Sequence, residues 1–171
     1  MLKRKTNPHP FTYGIWALLS AITFAAQLAK GAGPGAWVTA VPAITCFGVA
    51  VLAISYGGRR VIVRTDWILL VAALCAIVAW RLTSDPLYAV LISTFASACA
   101  FVPTFRKSYS KPNEETALSY SLGALRSLVA IPALLSFNIA TLLPPLYNIA
   151  ANVSFVTMLL IRRRSVRKTE Y

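Results

Sequence analysis

The sequence predicts an all-α membrane protein, a polytopic bundle of six transmembrane helices arranged as two inverted three-helix repeats. The 171-residue chain is 57% hydrophobic and only 13% charged, with a mean hydropathy of +0.65. Soluble domains carry about 45–50% apolar and about 25% charged residues. Long apolar segments also alternate with short basic clusters, which is typical of membrane helices and their cytoplasmic loops. The composition excludes a disordered protein, a disulfide scaffold and an ordinary soluble enzyme.

Six segments have the length and apolar character to cross about 30 Å of hydrocarbon, which takes roughly 20 helical residues. They are Phe11–Ala29, Ala36–Tyr56, Asp66–Leu82, Pro86–Phe105, Thr116–Phe137 and Ile139–Ile161. The third segment is the shortest, and a tilted or partly interfacial helix is the alternative for it. The first segment is interpreted as a true span rather than a signal peptide. Pro8 and Pro10 interrupt the basic start, and no small-residue cleavage site ends the segment.

Basic residues predict how these spans are oriented. With the N-terminus inside, fourteen of the 17 Lys and Arg residues fall on the cytoplasmic side, and only Lys30 and Arg81 fall in outer loops. We therefore expect an inner (plasma) membrane protein with both termini cytoplasmic. The predicted division of the chain is a first repeat at 11–82, a second repeat at 86–161 and a basic cytoplasmic tail at 162–171.

The formal charge of +12 also invites comparison with nucleic-acid-binding proteins. The Lys and Arg residues, however, lie in clusters between apolar runs and are not interleaved with other polar residues. No nucleic-acid partner is therefore expected. The clusters are expected to contact membrane lipids through anionic headgroups at the cytoplasmic face.

A shift of 77 residues aligns the first span with the fourth and suggests an internal repeat. The shift places Trp16, Ser20, Thr23 and Gln27 on Ser93, Ser97, Ala100 and Thr104. Spacings of four, three and four put each set on one helix face, although polar stripes of this kind are common in any bundle. Three spans per half is an odd number, so the second triplet would insert upside down. Inverted repeats are typical of secondary transporters, whose ligand site lies near the midplane.

The segment Phe101–Lys107, with sequence FVPTFRK, resembles the PQ-loop superfamily, which includes the SWEET and SemiSWEET sugar carriers and PnuC-type vitamin transporters. The Pro-Gln pair of that family is divided here, because Pro103 precedes Thr104 and Ala26 precedes Gln27. The resemblance implies a substrate contact from an asparagine of the third helix, which Asn152 matches. The chain departs from two-unit members by lacking their linker helix. It also resembles small bacterial inner-membrane proteins from which no activity can be carried over.

Arg126 is a cation near the middle of the fifth predicted span, where insertion scales give a cost of about 2.5–3.5 kcal/mol. No Asp or Glu lies at comparable depth. Two interpretations remain open. The guanidinium could bind a carboxylate or phosphate on a transported molecule, or it could cap carbonyls that Pro144 and Pro145 free in the sixth span.

The sequence therefore predicts a substrate site formed by polar and aromatic residues within the spans. The site residues are Arg126, Gln27, Asn148, Asn152, Trp16 and Thr104, and the hinges are Pro103, Pro144 and Pro145. The alternative is that the polar side chains only join helices, at about 0.6 kcal/mol each. For Trp16 the alternative is an indole that faces lipid or the core.

The sequence contains no catalytic triad, carboxylate pair, metal-ligand spacing or phosphate loop, so no enzymatic activity, metal or cofactor is expected. An ion-coupled pump would normally need a buried Asp or Glu, and none is available. The leading hypothesis is an uncoupled facilitator of a small polar or anionic solute. The alternative is a non-transporting membrane assembly or lipid-contact protein. The small size of the bundle suggests a homodimer.

Overall fold

The computed structural model describes residues 10–55, 64–110, 112–113 and 116–169. Within these residues the chain forms six α-helices, and the predicted all-α class is confirmed. The helices are α1 Pro10–Ala29, α2 Trp37–Ser55, α3 Arg64–Thr83, α4 Pro86–Ser110, α5 Ala117–Ala130 and α6 Ile139–Thr169. Short 3-10 turns, Gly33–Ala36 and Ile131–Ala133, precede α2 and follow α5.

Three helical segments of the described chain are long and apolar enough to cross a membrane: Gly33–Ser55, Pro86–Ser110 and Ile139–Ser165. Three shorter helices, Tyr13–Ala29, Trp67–Thr83 and Ala117–Ala133, are also apolar. The bundle surface carries many large apolar side chains. Phe47 and Phe95, for example, are 63% and 72% exposed. Such a surface is expected of a protein surrounded by lipid, and it would be a liability in water.

Three helix boundaries differ clearly from the predicted spans, and the first is the end of α4, which lies at Ser110 rather than at Phe105. The fifth span was predicted to run to Phe137, but α5 ends at Ala130. Pro132 has no N–H to donate to the carbonyl of Leu128, and the N–H of Ile131 donates to that carbonyl instead. This tightens the chain into the 3-10 turn. In contrast, α6 continues well beyond Ile161, since Arg and Lys are good helix formers.

The six helices form three hairpins, α1 with α2, α3 with α4 and α5 with α6. The turns of the three hairpins meet at one end of the bundle. Lys30 Nζ lies 2.8 Å from Asp85 Oδ1, and Asn138 Nδ2 donates to the carbonyl of Lys30 at 3.3 Å. At the opposite end, Arg162 Nε donates to the carbonyl of Tyr109 at 3.2 Å. Successive helices therefore alternate in direction.

Helices α1, α4 and α6 pack together at the centre of the bundle. Small residues allow their close approach, and Ala26 and Ala89 are fully buried in this core. By contrast, α2 packs mainly on α1, α5 packs mainly on α6, and these two outer helices hardly touch each other. The space between them opens into the cavity described below.

The predicted repeat is not evident in the helix contacts. In the first half α1 contacts both α2 and α3, whereas in the second half α6 contacts both α4 and α5. The two halves thus use different helices as their centre, and the inverted repeat stays a prediction. The basic clusters at 3–5 and 59–60, on which the predicted orientation partly depends, lie outside the described residues.

Candidate functional site

A cavity of about 540 Å³ lies between α1, α2, α4, α5 and α6. The side chains predicted to contact a substrate all line this one cavity: Trp16, Gln27, Thr104, Arg126, Asn148 and Asn152. The predicted hinges Pro144 and Pro145 line it too, whereas Pro103 lies within α4. Ligand binding by these residues, and hinge motion at the prolines, stay predictions.

Gln27 lies at the end of the cavity nearest the hairpin turns, and hydrogen bonds use both ends of its amide. Its Nε2 donates to the carbonyl of Thr141 at 3.0 Å, and its Oε1 accepts a hydrogen bond from Thr39 Oγ1 at 2.6 Å. Only 1% of Gln27 is exposed. In a regular helix the carbonyl of Thr141 would receive the N–H of residue 145, but Pro145 has none. Gln27 therefore replaces the donor that Pro145 lacks, and it joins α1, α2 and α6.

This arrangement decides part of the question left open for Arg126. The structure assigns the capping of the carbonyl freed by Pro145 to Gln27 and not to Arg126. Thr141, in turn, donates through Oγ1 to the carbonyl of Ser136 at 2.7 Å, which anchors the first turn of α6. Pro144 and Pro145 thus follow a first turn of α6 that is held by hydrogen bonds from Gln27 and Thr141.

Arg126 lies close to the middle of the apolar helix Ala117–Ala133 and is half-buried. Its Nε is buried and has no hydrogen-bond partner among the described residues. No Asp or Glu is among the described residues that line the cavity. The guanidinium therefore brings a positive charge, and a donor without a protein partner, to the cavity wall, where a carboxylate or phosphate would form a charge-assisted hydrogen bond with it.

Asn148 and Asn152 lie one helical turn apart on α6. Asn148 Nδ2 donates to the carbonyl of Pro144 at 3.0 Å, and Asn152 Nδ2 donates to the carbonyl of Asn148 at 2.7 Å. These bonds stay within α6 and leave the Oδ1 atoms as the acceptors that the two residues offer. Gly123 of α5 comes close to this amide, because a Cβ at that position would lie 3.4 Å from Asn152 Oδ1.

Aromatic rings pack between α4, α5 and α6, towards the end of the bundle opposite the hairpin turns. Ring centroids of Tyr120 and Phe155 are 4.2 Å apart, those of Phe105 and Phe155 are 5.1 Å apart, and Phe101 contacts all three rings. Phe101 and Tyr120 also line the cavity. The sequence does not single out this cluster, because aromatic residues are common in apolar helices.

The contribution of α2 was also missed. Thr39, Pro42 and Cys46 line the cavity at helical spacing. The position of Thr39, one helical turn after a glycine-rich segment, weakly indicates a polar role for its hydroxyl. Nothing in the sequence connects Thr39 to Gln27.

An ion pair outside the apolar segments holds two hairpin turns together. Asp85 accepts hydrogen bonds from Lys30 Nζ and, through Oδ1, from the N–H of Leu87 at 2.9 Å. The hydrogen bond from Lys30, followed by that from the Leu87 N–H, holds the pKa of the Asp85 carboxyl below its ordinary value.

The chain matches no family model, no curated protein and no solved structure. The geometry of the cavity is therefore the basis for assigning a function, and the resemblance to the PQ-loop superfamily stays a hypothesis.

Proposed function

We propose that the chain is an integral membrane protein of six transmembrane helices that acts as an uncoupled facilitator for a small polar or anionic solute. One observation carries this proposal: an apolar bundle encloses a cavity that contains Arg126 with its Nε unpaired. Charged side chains inside membrane helices are costly and typically mark a substrate or ion pathway. The polar groups of Asn148, Asn152 and Thr104 complete a site that can hold a hydrated or hydroxylated molecule.

Pairing of long with short helices supports six spans. Each hairpin combines one of the three long apolar segments with one shorter apolar helix, and the hairpin turns meet at one end. A short helix that packs along a spanning helix would share its depth in the membrane. The proposed location is the inner membrane, with both termini cytoplasmic, on the basis of the Lys and Arg distribution.

Resemblance to the PQ-loop superfamily is retained as part of the proposal. The polar faces of α1 and α4, which the 77-residue shift aligns, contribute Ser20 and Ser97 as well as Gln27 and Thr104 to the same cavity. Two related helices that face one site are what an internal repeat would produce.

Uncoupled transport is favoured over ion-coupled transport by the charges of the site. Coupling to protons or Na⁺ normally uses a buried carboxylate, and the described lining residues include none. In the facilitator, the concentration gradient drives the solute, and Arg126 selects for negative charge.

A non-transporting membrane assembly or lipid-contact protein is the second candidate, and specific contacts favour it. Gln27 hydrogen-bonds to Thr39 and to the carbonyl of Thr141, and both asparagines hydrogen-bond to their own helix. Polar groups that are satisfied in this way can serve packing alone.

An uptake experiment distinguishes the two candidates. Purified protein is first screened by thermal shift against sugars, nucleosides, amino acids and organic anions, and each stabilising compound is then tested for uptake into proteoliposomes. A charge-assisted hydrogen bond contributes about 1.5–3 kcal/mol, so Arg126→Ala should lower uptake roughly tenfold to 150-fold. Leu125→Ala is the matched control, because Leu125 is 54% exposed and lies outside the cavity lining. Normal uptake by folded Arg126→Ala, or no uptake of any compound by the wild type, would reject the facilitator.

A further inference from the structure

The cavity reaches the surface of the bundle at one helix. Among the described residues that line it, only Ser119 and Leu122 are exposed, and both belong to α5. Leu122 is 55% exposed although its side chain also forms part of the cavity wall. The opening of the cavity therefore lies beside the first half of α5.

The surface around this opening is apolar. Leu118, Leu122, Leu125 and Val129 follow one another at spacings of four, three and four, which places them on one face of α5, and each is more than half exposed. On α2, the other outer wall of the cavity, Ile44 and Phe47 are 66% and 63% exposed. In a membrane these faces would contact acyl chains. The opening beside α5 is thus bordered by apolar surface.

Packed groups lie at the hairpin-turn end of the cavity and beside its opposite end, where Ser119 in the first turn of α5 is exposed. At the end near the hairpin turns, Gln27, Thr39 and Thr141 are hydrogen-bonded and each is at most 8% exposed. Towards the opposite end, between α4, α5 and α6, the rings of Tyr120 and Phe155 pack with centroids 4.2 Å apart. Between these packed groups, Leu122 lines the cavity and also lies on the outward apolar face of α5.

We infer that the ligand of this cavity is an anionic amphiphile, with its charged headgroup at Arg126 and its alkyl chain leaving between α2 and α5 into the bilayer. Charge complementarity supports this occupant, because the buried Nε of Arg126 is unpaired and none of the described lining residues carries a carboxylate. The volume of about 540 Å³ suits a headgroup with part of a chain, since sites for small molecules are about 300–1,000 Å³. This inference rests on the proposed function and narrows its solute to an organic anion that carries an alkyl chain.

Three probes show whether the anionic group or the alkyl chain is responsible for binding. Decyl phosphate has both, inorganic phosphate has only the anion, and decyl maltoside has only the chain. The full chain is placed in nanodiscs of zwitterionic phosphatidylcholine, and binding of each probe is measured from its effect on thermal unfolding. We expect decyl phosphate alone to stabilise the wild type, because it has both the anion and the chain. Arg126→Gln should weaken decyl phosphate binding by about tenfold or more.

Two tryptophan substitutions locate the opening. Leu122→Trp fills the exposed wall of the cavity and should abolish stabilisation by decyl phosphate. Leu125→Trp adds the same ring to the same apolar face outside the lining, and it should bind like the wild type. Ser119→Trp, at the other exposed lining position, replaces Leu122→Trp if that variant does not fold.

Each remaining outcome overturns the inference. Equal stabilisation by inorganic phosphate would show a hydrophilic anion site, in which case the facilitator proposal stands. Equal binding of decyl phosphate by all variants would show adsorption to the bilayer or to the outer surface. If no probe stabilises the wild type, the amphiphile is rejected, and the separate uptake screen then decides whether the facilitator survives.

Discussion

Gln27 is buried, and both polar atoms of its amide are hydrogen-bonded. Its replacement tests whether Gln27 supplies α6 with the hydrogen-bond donor that Pro145 lacks. Gln27→Met keeps an unbranched side chain of similar length but removes both hydrogen bonds. Thr39 Oγ1 would keep a partner, because it also donates to the carbonyl of Ala36 at 2.7 Å. The carbonyl of Thr141 would have none, since Pro145 has no N–H and Thr141 is fully buried.

The expected loss of stability comes from this one carbonyl, which is left without a hydrogen-bond donor. An unsatisfied buried polar group costs about 1–3 kcal/mol, whereas interhelical hydrogen bonds in membrane proteins average only about 0.6 kcal/mol. We expect the larger value for Gln27→Met, because the carbonyl has no replacement donor and water has no access to it. The free energy of unfolding is measured by titration with SDS in mixed micelles.

A double-mutant cycle with Pro145→Ala isolates this mechanism. Alanine at 145 restores the N–H that a regular helix would direct at the Thr141 carbonyl. In that background Gln27→Met should cost no more than about 0.6 kcal/mol. Thr23→Val serves as control, since Thr23 Oγ1 donates only within α1, to Leu19 at 3.0 Å. Equal costs of Gln27→Met in both backgrounds would refute the assignment of Gln27 as the substitute donor.

Two further predictions concern the ends of the bundle. The pKa of Asp85 is lowered in the folded state, so its ion pair with Lys30 stabilises the protein fully at pH values above the unfolded carboxyl pKa of about 3.9. This stabilisation is lost as the pH falls through the lower pKa of the folded state. Melting curves across this range should show a smaller acid-induced drop for Asp85→Asn than for the wild type, and identical profiles would contradict the role of the pair. For topology, Cys46, Cys75 and Cys99 are replaced by Ala, and single cysteines are introduced by Pro34→Cys and Arg164→Cys at exposed positions. An impermeant maleimide should label Pro34→Cys in intact cells and Arg164→Cys only after permeabilisation, and the reverse pattern would overturn the orientation.

Helix positions were largely predictable from the sequence. The predicted span Phe11–Ala29 differs from α1 by one residue at its start, and Ala36–Tyr56 differs from α2 by one at each end. In both cases an apolar run is bounded by proline, glycine or charge, so the local signal is strong. The end of α5 was harder to predict, because a proline inside an apolar segment either kinks a helix or ends it, and only the packing decides which.

Residues that line the cavity were predictable where the inference needed only the chemical type of the side chain. A cation or an amide in an apolar helix needs a polar environment, and this reasoning selected Arg126, Asn148 and Asn152. That these residues would lie around one cavity could be predicted without knowing which residues each of them contacts. The role of Gln27, in contrast, depends on a carbonyl 114 residues away along the chain, and sequence spacing carries no information about such a contact.

The hydrogen-bond state of each polar residue separates packing from function better than its position does. Gln27 lines the same cavity as Arg126, yet every polar atom of its amide has a protein partner, so a ligand at Gln27 would have to break existing bonds. Arg126 has an unpaired buried Nε, so a ligand that binds this atom forms a hydrogen bond without breaking an existing one. An anion that binds at Arg126 would therefore leave the hydrogen bonds of Gln27 intact. For this reason we expect substitutions of Gln27 to lower stability first, and substitutions of Arg126 to lower binding first.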